Sequence, residues 1–110
     1  MKVLPLSYPA GRDQLLSLFE LSDHAAAGLR VGTARIEQGR RVPETAYSSH
    51  GAHEVSVIMK GLLSVEIAGQ LLAVKAGDVT VIEPGEAHSA LALEDTEVFW
   101  ILFGPLGGGE

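Results

Sequence analysis

From residue 29 onward the chain is a succession of short apolar stretches, each closed by glycine, proline or an acidic turn. "LRVGTARIEQGRRVP", "EVSVIMKG", "LLSVEIAGQ", "LLAVKAGD", "VTVIEPGE", "AHSALALED" and "EVFWILFGP" follow one another with no room for a helix between them. A helix needs a longer uninterrupted segment with apolar residues three and four apart, whereas stretches of this length broken at regular spacing build a sandwich or a barrel. Val55, Val57 and Met59 fall on one parity and Ser56, Ile58 and Lys60 on the other, the period of a strand. The expected class is all-β.

The segment before this run is ambiguous. In "GRDQLLSLFELSDHAAAG" the spacing of Leu15, Leu16, Leu18, Phe19 and Leu21 suits either a short helix or an edge strand. His24 in this segment has no partner pattern and is given no role. The tail "GPLGGGE" cannot hold regular structure. The chain therefore divides into an N-terminal segment, 1–28, packing on a barrel of residues 29–103, with a flexible tail at 104–110.

Composition removes several function classes. Apolar residues make up 46% of the 110 residues, enough to bury a core as one domain. There is no cysteine, so disulfides and thiolate chemistry are excluded. The opening "MKVLPLSYPAGR" lacks a signal-peptide pattern, and no stretch approaches the roughly 20 apolar residues that span a bilayer, so a cytoplasmic protein is expected. Eight basic against fourteen acidic residues give a net charge of −6, with Arg40 and Arg41 the only basic pair. Nucleic acid and anionic membrane both require a basic face and are not expected partners.

Chemistry concentrates in two places. "SSHGAHEV" places His50, His53 and Glu54 close together, with Gly61 six residues after Glu54, and "AGDVTVIEPGEAH" carries Gly77, Gly85 and His88. Together these resemble the two motifs of the cupin superfamily, over most of residues 30 to 103. The first motif's second histidine falls on His50, its glutamate on Glu54 and its closing glycine on Gly61. The second motif's histidine falls on His88. Ser48 stands where a leading histidine belongs, Glu83 stands at the proline position with Pro84 one residue late, Ala92 replaces an asparagine, and Gly39 is displaced from the opening glycine. The resemblance implies a double-stranded β-helix, the jelly-roll barrel of cupins, with a metal held in its mouth by His50, Glu54 and His88.

Two neutral imidazoles and one carboxylate form a three-ligand face with open positions, suited to divalent Fe, Mn, Ni or Zn. His50 and Glu54 differ by an even number and share a face, and His88 begins the strand after a turn. His53, at odd offset from both, points away unless the chain turns locally at Gly51. It is a candidate substitute for the missing histidine, a residue orienting Glu54, or a proton carrier. Tyr47, ahead of Ser48, is a candidate hydrogen-bond donor or proton shuttle at the mouth. Parity from Glu54 and His88 puts Ser56, Ile58, Ala90 and Ala92 on the inner wall, a mostly apolar pocket for a small organic molecule.

Two functions follow: a metal-dependent enzyme on such a molecule, or a non-catalytic, metal-free ligand-binding or sensor module. "VFWILF" is apolar on both parities, with Phe99 and Trp100 on opposite faces, so one face needs cover beyond the barrel interior. A homodimer through strand faces is expected, the alternative being that residues 1 to 21 fold over that face.

Overall fold

The computed structural model describes residues 1–2, 4–11, 14–22 and 28–105. His24 and residues 106–110 of the tail lie outside them. The described residues form nine strands and no helix: β1 (Leu15–Ser22), β2 (Gly28–Ile36), β3 (Arg41–Val42), β4 (His53–Lys60), β5 (Leu62–Ile67), β6 (Gln70–Lys75), β7 (Val79–Ile82), β8 (His88–Ala92) and β9 (Thr96–Gly104). They make two antiparallel sheets, ordered β1-β2-β9-β4-β7 and β3-β8-β5-β6. The protein is an all-β jelly-roll barrel. The segment open to two readings is a strand, β1, on the edge of the larger sheet beside β2. Strand β2 starts at Gly28 and β9 runs through Gly104, one residue beyond the expected barrel limits at each end.

The registers sort the barrel interior into layers. Ile58, Val98 and Ala34 face each other across β4, β9 and β2, and Leu63 pairs with Ala92 across β5 and β8. These residues, with Ile36, form the buried apolar core at one end. One layer up lie Ser56, Trp100 and Gly32, and above them Glu54, Leu102 and Arg30. On the other sheet, Val65 with Ala90 and then Ile67 with His88 occupy the corresponding layers. The barrel is packed shut at the end of Ile58 and Leu63, while Glu54 and His88, from opposite sheets, stand at the other end.

Gly32 shows why a glycine interrupts "LRVGTARI". A Cβ there would run into the Leu16 carbonyl oxygen and the six-membered ring of Trp100, so the absent side chain is the space the indole fills. Trp100 thus turns inward and packs against the core, and Phe99 lies on the outer face.

That outer face is only partly covered. The N-terminal residues run along β2: Thr33 Oγ1 donates to the Ser7 carbonyl at 2.6 Å, and the Arg35 guanidinium donates to the Pro9 carbonyl while lying 5.5 Å from the Tyr8 ring centre. Thr33 is completely buried as a result. Farther across the sheet Met59, Val79, Val81 and Phe103 remain exposed.

Candidate metal centre and its cavity

The two motif halves are stitched together by backbone hydrogen bonds before any side chain is considered. Ser48 and His88 exchange both N–H···O bonds, at 2.9 and 3.0 Å, and the Gly85 N–H donates to the His50 carbonyl at 2.9 Å. The loop carrying His50 is thereby tied to the turn that launches His88. Glu54 projects inward from β4, as its parity requires, and His50 arrives from the loop before it.

One donor atom from each of His50, Glu54 and His88 lies within 4.8 Å of the others. The imidazole rings meet edge to face, centroids 5.3 Å apart. The hydrogen bonds decide what these rings offer. His50 Nδ1 lies 3.1 Å from the Ala52 carbonyl and His88 Nδ1 lies 2.9 Å from the Glu86 carbonyl. A carbonyl oxygen only accepts, so both Nδ1 atoms carry protons and both Nε2 atoms of the neutral rings present lone pairs. Such backbone carbonyls behind the rings are the usual device for fixing the tautomer and aim of a ligating histidine. His50 Nε2 in turn faces Glu54 Oε1 at 3.1 Å. A lone pair and a carboxylate oxygen at that distance require positive charge on or between them, either a proton on the ring or a cation. The donor set, two imidazole nitrogens and a carboxylate, matches first-row divalent ions, and the three residues are positioned to hold one. The His50 side chain is 8% accessible and that of Glu54 23%, so water competes weakly for the centre.

The centre opens onto a cavity of about 320 Å³ inside the barrel. Ser56, Ile58 and Ala90 line it as parity indicated, while Ala92 lies deeper, in the closed core. Most of the remaining wall is aliphatic. Ser48, in place of the first motif's leading histidine, lines the cavity beside His88. Arg30 and Trp100 are among the lining residues that the sequence reading did not place there. Their signal is the register: Arg30 shares a layer with Glu54, and Trp100 shares one with Ser56, relations that join strands far apart in the sequence.

Tyr47 and His53 are elsewhere. His53 lies on the outer face of β4, half exposed, with Nδ1 3.0 Å from Glu83 Oε2, because an odd offset from Glu54 in a continuous strand leads outward. Tyr47 donates to Glu66 Oε2 at 2.6 Å on the surface, with the Arg41 guanidinium 5.3 Å from its ring centre. The hydrogen bond to Glu66 holds the Tyr47 hydroxyl above its ordinary pKa, with the Glu66 charge adding to it. Neither residue lines the cavity, so a proton-carrying role at its mouth finds no geometry here. Arg40 pairs with Glu44 on the surface.

Residues 30–106 match the family model for the AraC-like ligand binding domain. The chain belongs to this family of cupins. Solved structures with this fold include a conserved protein of unknown function, SPY1581, from Streptococcus pyogenes, at 24% identity and TM-score 0.66, covering 94% of this chain and 88% of that one. The cupin domain of Cnp3 from Schizosaccharomyces pombe aligns at 15% identity and TM-score 0.67, over 82% of this chain and 63% of that one. Salicylate 1,2-dioxygenase from Pseudaminobacter salicylatoxidans aligns at 22% identity and TM-score 0.61, over 67% of this cupin. The cupin described here spans only 20% of that dioxygenase. No curated protein matches it in sequence.

Proposed function

We propose that this cupin holds a divalent first-row metal between His50 Nε2, Glu54 and His88 Nε2, and that it binds a small organic molecule in the cavity beneath. The observation that carries this reading is the pair of Nδ1–H bonds to Ala52 and Glu86, which turn two lone pairs toward one carboxylate at the cavity mouth. When bound, the ion supplies Lewis acidity toward an oxygen of the molecule. The protein's own part is to aim the three donors, keep water away with the aliphatic wall and orient the guest. The family's ligand-binding description favours a second reading, in which the cavity takes its ligand without metal and without reaction. The dioxygenase among the fold relatives brings oxidation of such a molecule within the proposal, on fold likeness alone.

The proposal extends to assembly and location. Met59, Val79, Val81 and Phe103 form an apolar outer face that stays exposed among the described residues, and a two-fold dimer through this face, in the cytoplasm, would cover it. Native mass spectrometry of the purified protein, before and after chelator treatment, tests these points together. The expected result is a dimer of twice 11.6 kDa carrying one metal ion per chain and a small molecule that is lost along with the ion. A retained small molecule with no metal at any stage would favour the second reading, and a monomer mass would refute the dimer.

A further inference from the structure

One layer beneath Glu54 the cavity wall is polar on one sheet and hydrocarbon on the other. On the larger sheet Thr80, Ser56 and Trp100 lie side by side across β7, β4 and β9. Val65 and Ala90 face them from the smaller sheet, and Ile58, Val98 and Leu63 close the layer below. Serine and threonine are out of character this deep in an aliphatic pocket. Alanine and valine would fill the same space without the cost of taking a hydroxyl out of water.

A buried hydroxyl ordinarily recovers that cost through a bond to the protein. Ser56 is only 6% accessible, yet its hydroxyl has no partner among the described residues, and neither has that of Thr80. Among those residues the polar side-chain atoms both buried and unpartnered are Gln14 Nε2 and Trp100 Nε1, so the Ser56 and Thr80 hydroxyls open on the cavity they line. Trp100 adds ring surface to the wall while its own N–H is closed off. Ser56 and Thr80 are directly opposed in register, which sets their Cβ atoms about 4.5 to 5.5 Å apart. Both hydroxyls therefore reach a single guest oxygen, one donating to it and the other able to accept from it. Two residues of strand separate Ser56 from Glu54, about 6 to 7 Å.

We infer that Ser56 and Thr80 are the inner specificity-determining residues of the cavity, and that the ligand is a small molecule with two oxygen functions about one sheet layer apart along one edge and hydrocarbon along the other. The outer oxygen is directed to the His50, Glu54 and His88 cluster and the inner one to the two hydroxyls. A molecule with hydroxyls all round would leave those lying against Val65 and Ala90 without partners, which disfavours a polyol. The outer contact rests on the reading of the cluster given above; the inner contact does not.

The test is calorimetric titration of neutral probes into the full chain, both loaded with Zn²⁺ and treated with chelator: 4-hydroxybenzamide against benzamide, 1,4-butanediol against 1-butanol, and 2-hydroxybenzamide, whose two oxygen functions are adjacent. In the wild type at least one of 4-hydroxybenzamide and 1,4-butanediol binds at least about tenfold more tightly than its parent, and 2-hydroxybenzamide gains nothing over benzamide. Ser56→Ala combined with Thr80→Val brings the ratio near one, and each single substitution keeps part of it. Equal affinities within both pairs, no binding of any probe, an equal gain for 2-hydroxybenzamide, or an unchanged ratio in the double variant would each overturn the inference. Should the double variant fail to fold, the wild-type ratios and the two single variants still decide. A preference that survives in protein unable to take up zinc upholds the inner contact while defeating the metal reading. Stoichiometric zinc uptake without any preference does the reverse.

Discussion

Alanine at Gly61 and at Gly77 separates two costs that a glycine can hide. Both residues have positive φ, +98° and +94°, so either substitution strains the backbone by about 1–2 kcal/mol. A Cβ at Gly77 meets nothing within 4 Å. At Gly61 it meets Thr96 Oγ1 and lies 2.5 Å from the Asp95 carbonyl oxygen and 2.7 Å from Thr96 Cα, so the turn into β9 has to move. Thr96 is completely buried, and its hydroxyl donates toward the Glu94 carbonyl at 2.8 Å and accepts from the Leu62 N–H at 3.1 Å. Displacing it leaves buried polar groups short of partners, a further loss of about 1–3 kcal/mol. Gly61→Ala should therefore cost about 2–5 kcal/mol, a large share of the 5–15 kcal/mol typical of a domain, and Gly77→Ala about 1–2. Urea denaturation followed by the fluorescence of Trp100, the single tryptophan, reads both. Equal destabilisation of the two variants would refute the close-approach argument.

Three further outcomes are expected. Ile58→Ala, at a core position 2% exposed, should destabilise by about 2–5 kcal/mol, while Leu71→Ala, 71% exposed, should stay within about 0.5 kcal/mol by the same denaturation. Tyr47 and Tyr8 both titrate above the ordinary tyrosine value, Tyr47 through Glu66 and Tyr8 through burial, so their stabilising contribution is fully present below about pH 10 and is lost as pH rises through the folded values. Absorbance at 295 nm should show tyrosinate forming later in folded than in urea-unfolded protein, with Glu66→Gln removing part of the delay; coincident curves would contradict this. Protons compete with the ion for both Nε2 atoms, so zinc affinity measured by calorimetry should fall as pH is lowered, by up to roughly a hundredfold per unit once both rings bind protons. An affinity indifferent to pH would exclude histidine ligation.

The strands of the barrel were legible because period two survives in them, and the inward parity of Glu54, Ser56 and Ile58 carried directly into the cavity. Strand β1 was not, because the register shifts between Ser17 and Phe19 and breaks the alternation, leaving apolar residues at spacings that also suit a helix. His53 obeyed parity and lies outside. Tyr47 precedes β4 in a segment without period, just after Ala46 at φ +61°, so no sequence rule gives its direction. Arg30 went unread for a different reason. Its relation to Glu54 passes through Leu102 on β9, and only the sheet order β2-β9-β4 reveals it. The incomplete cover of the outer face was anticipated by "VFWILF", and the N-terminal residues do cover part of it, over Thr33.

In the proposed function His50, Glu54 and His88 form one metal centre. Zinc titration of chelator-treated protein tests it most directly, with wild type compared against His50→Ala, Glu54→Gln, His88→Ala and His53→Ala. One ion per chain is expected in the wild type and at least about a tenfold loss of affinity in each of the first three variants, with His53→Ala unchanged because that ring lies outside with Glu83. Wild-type affinity in His50→Ala or His88→Ala, or a loss confined to His53→Ala, would contradict it.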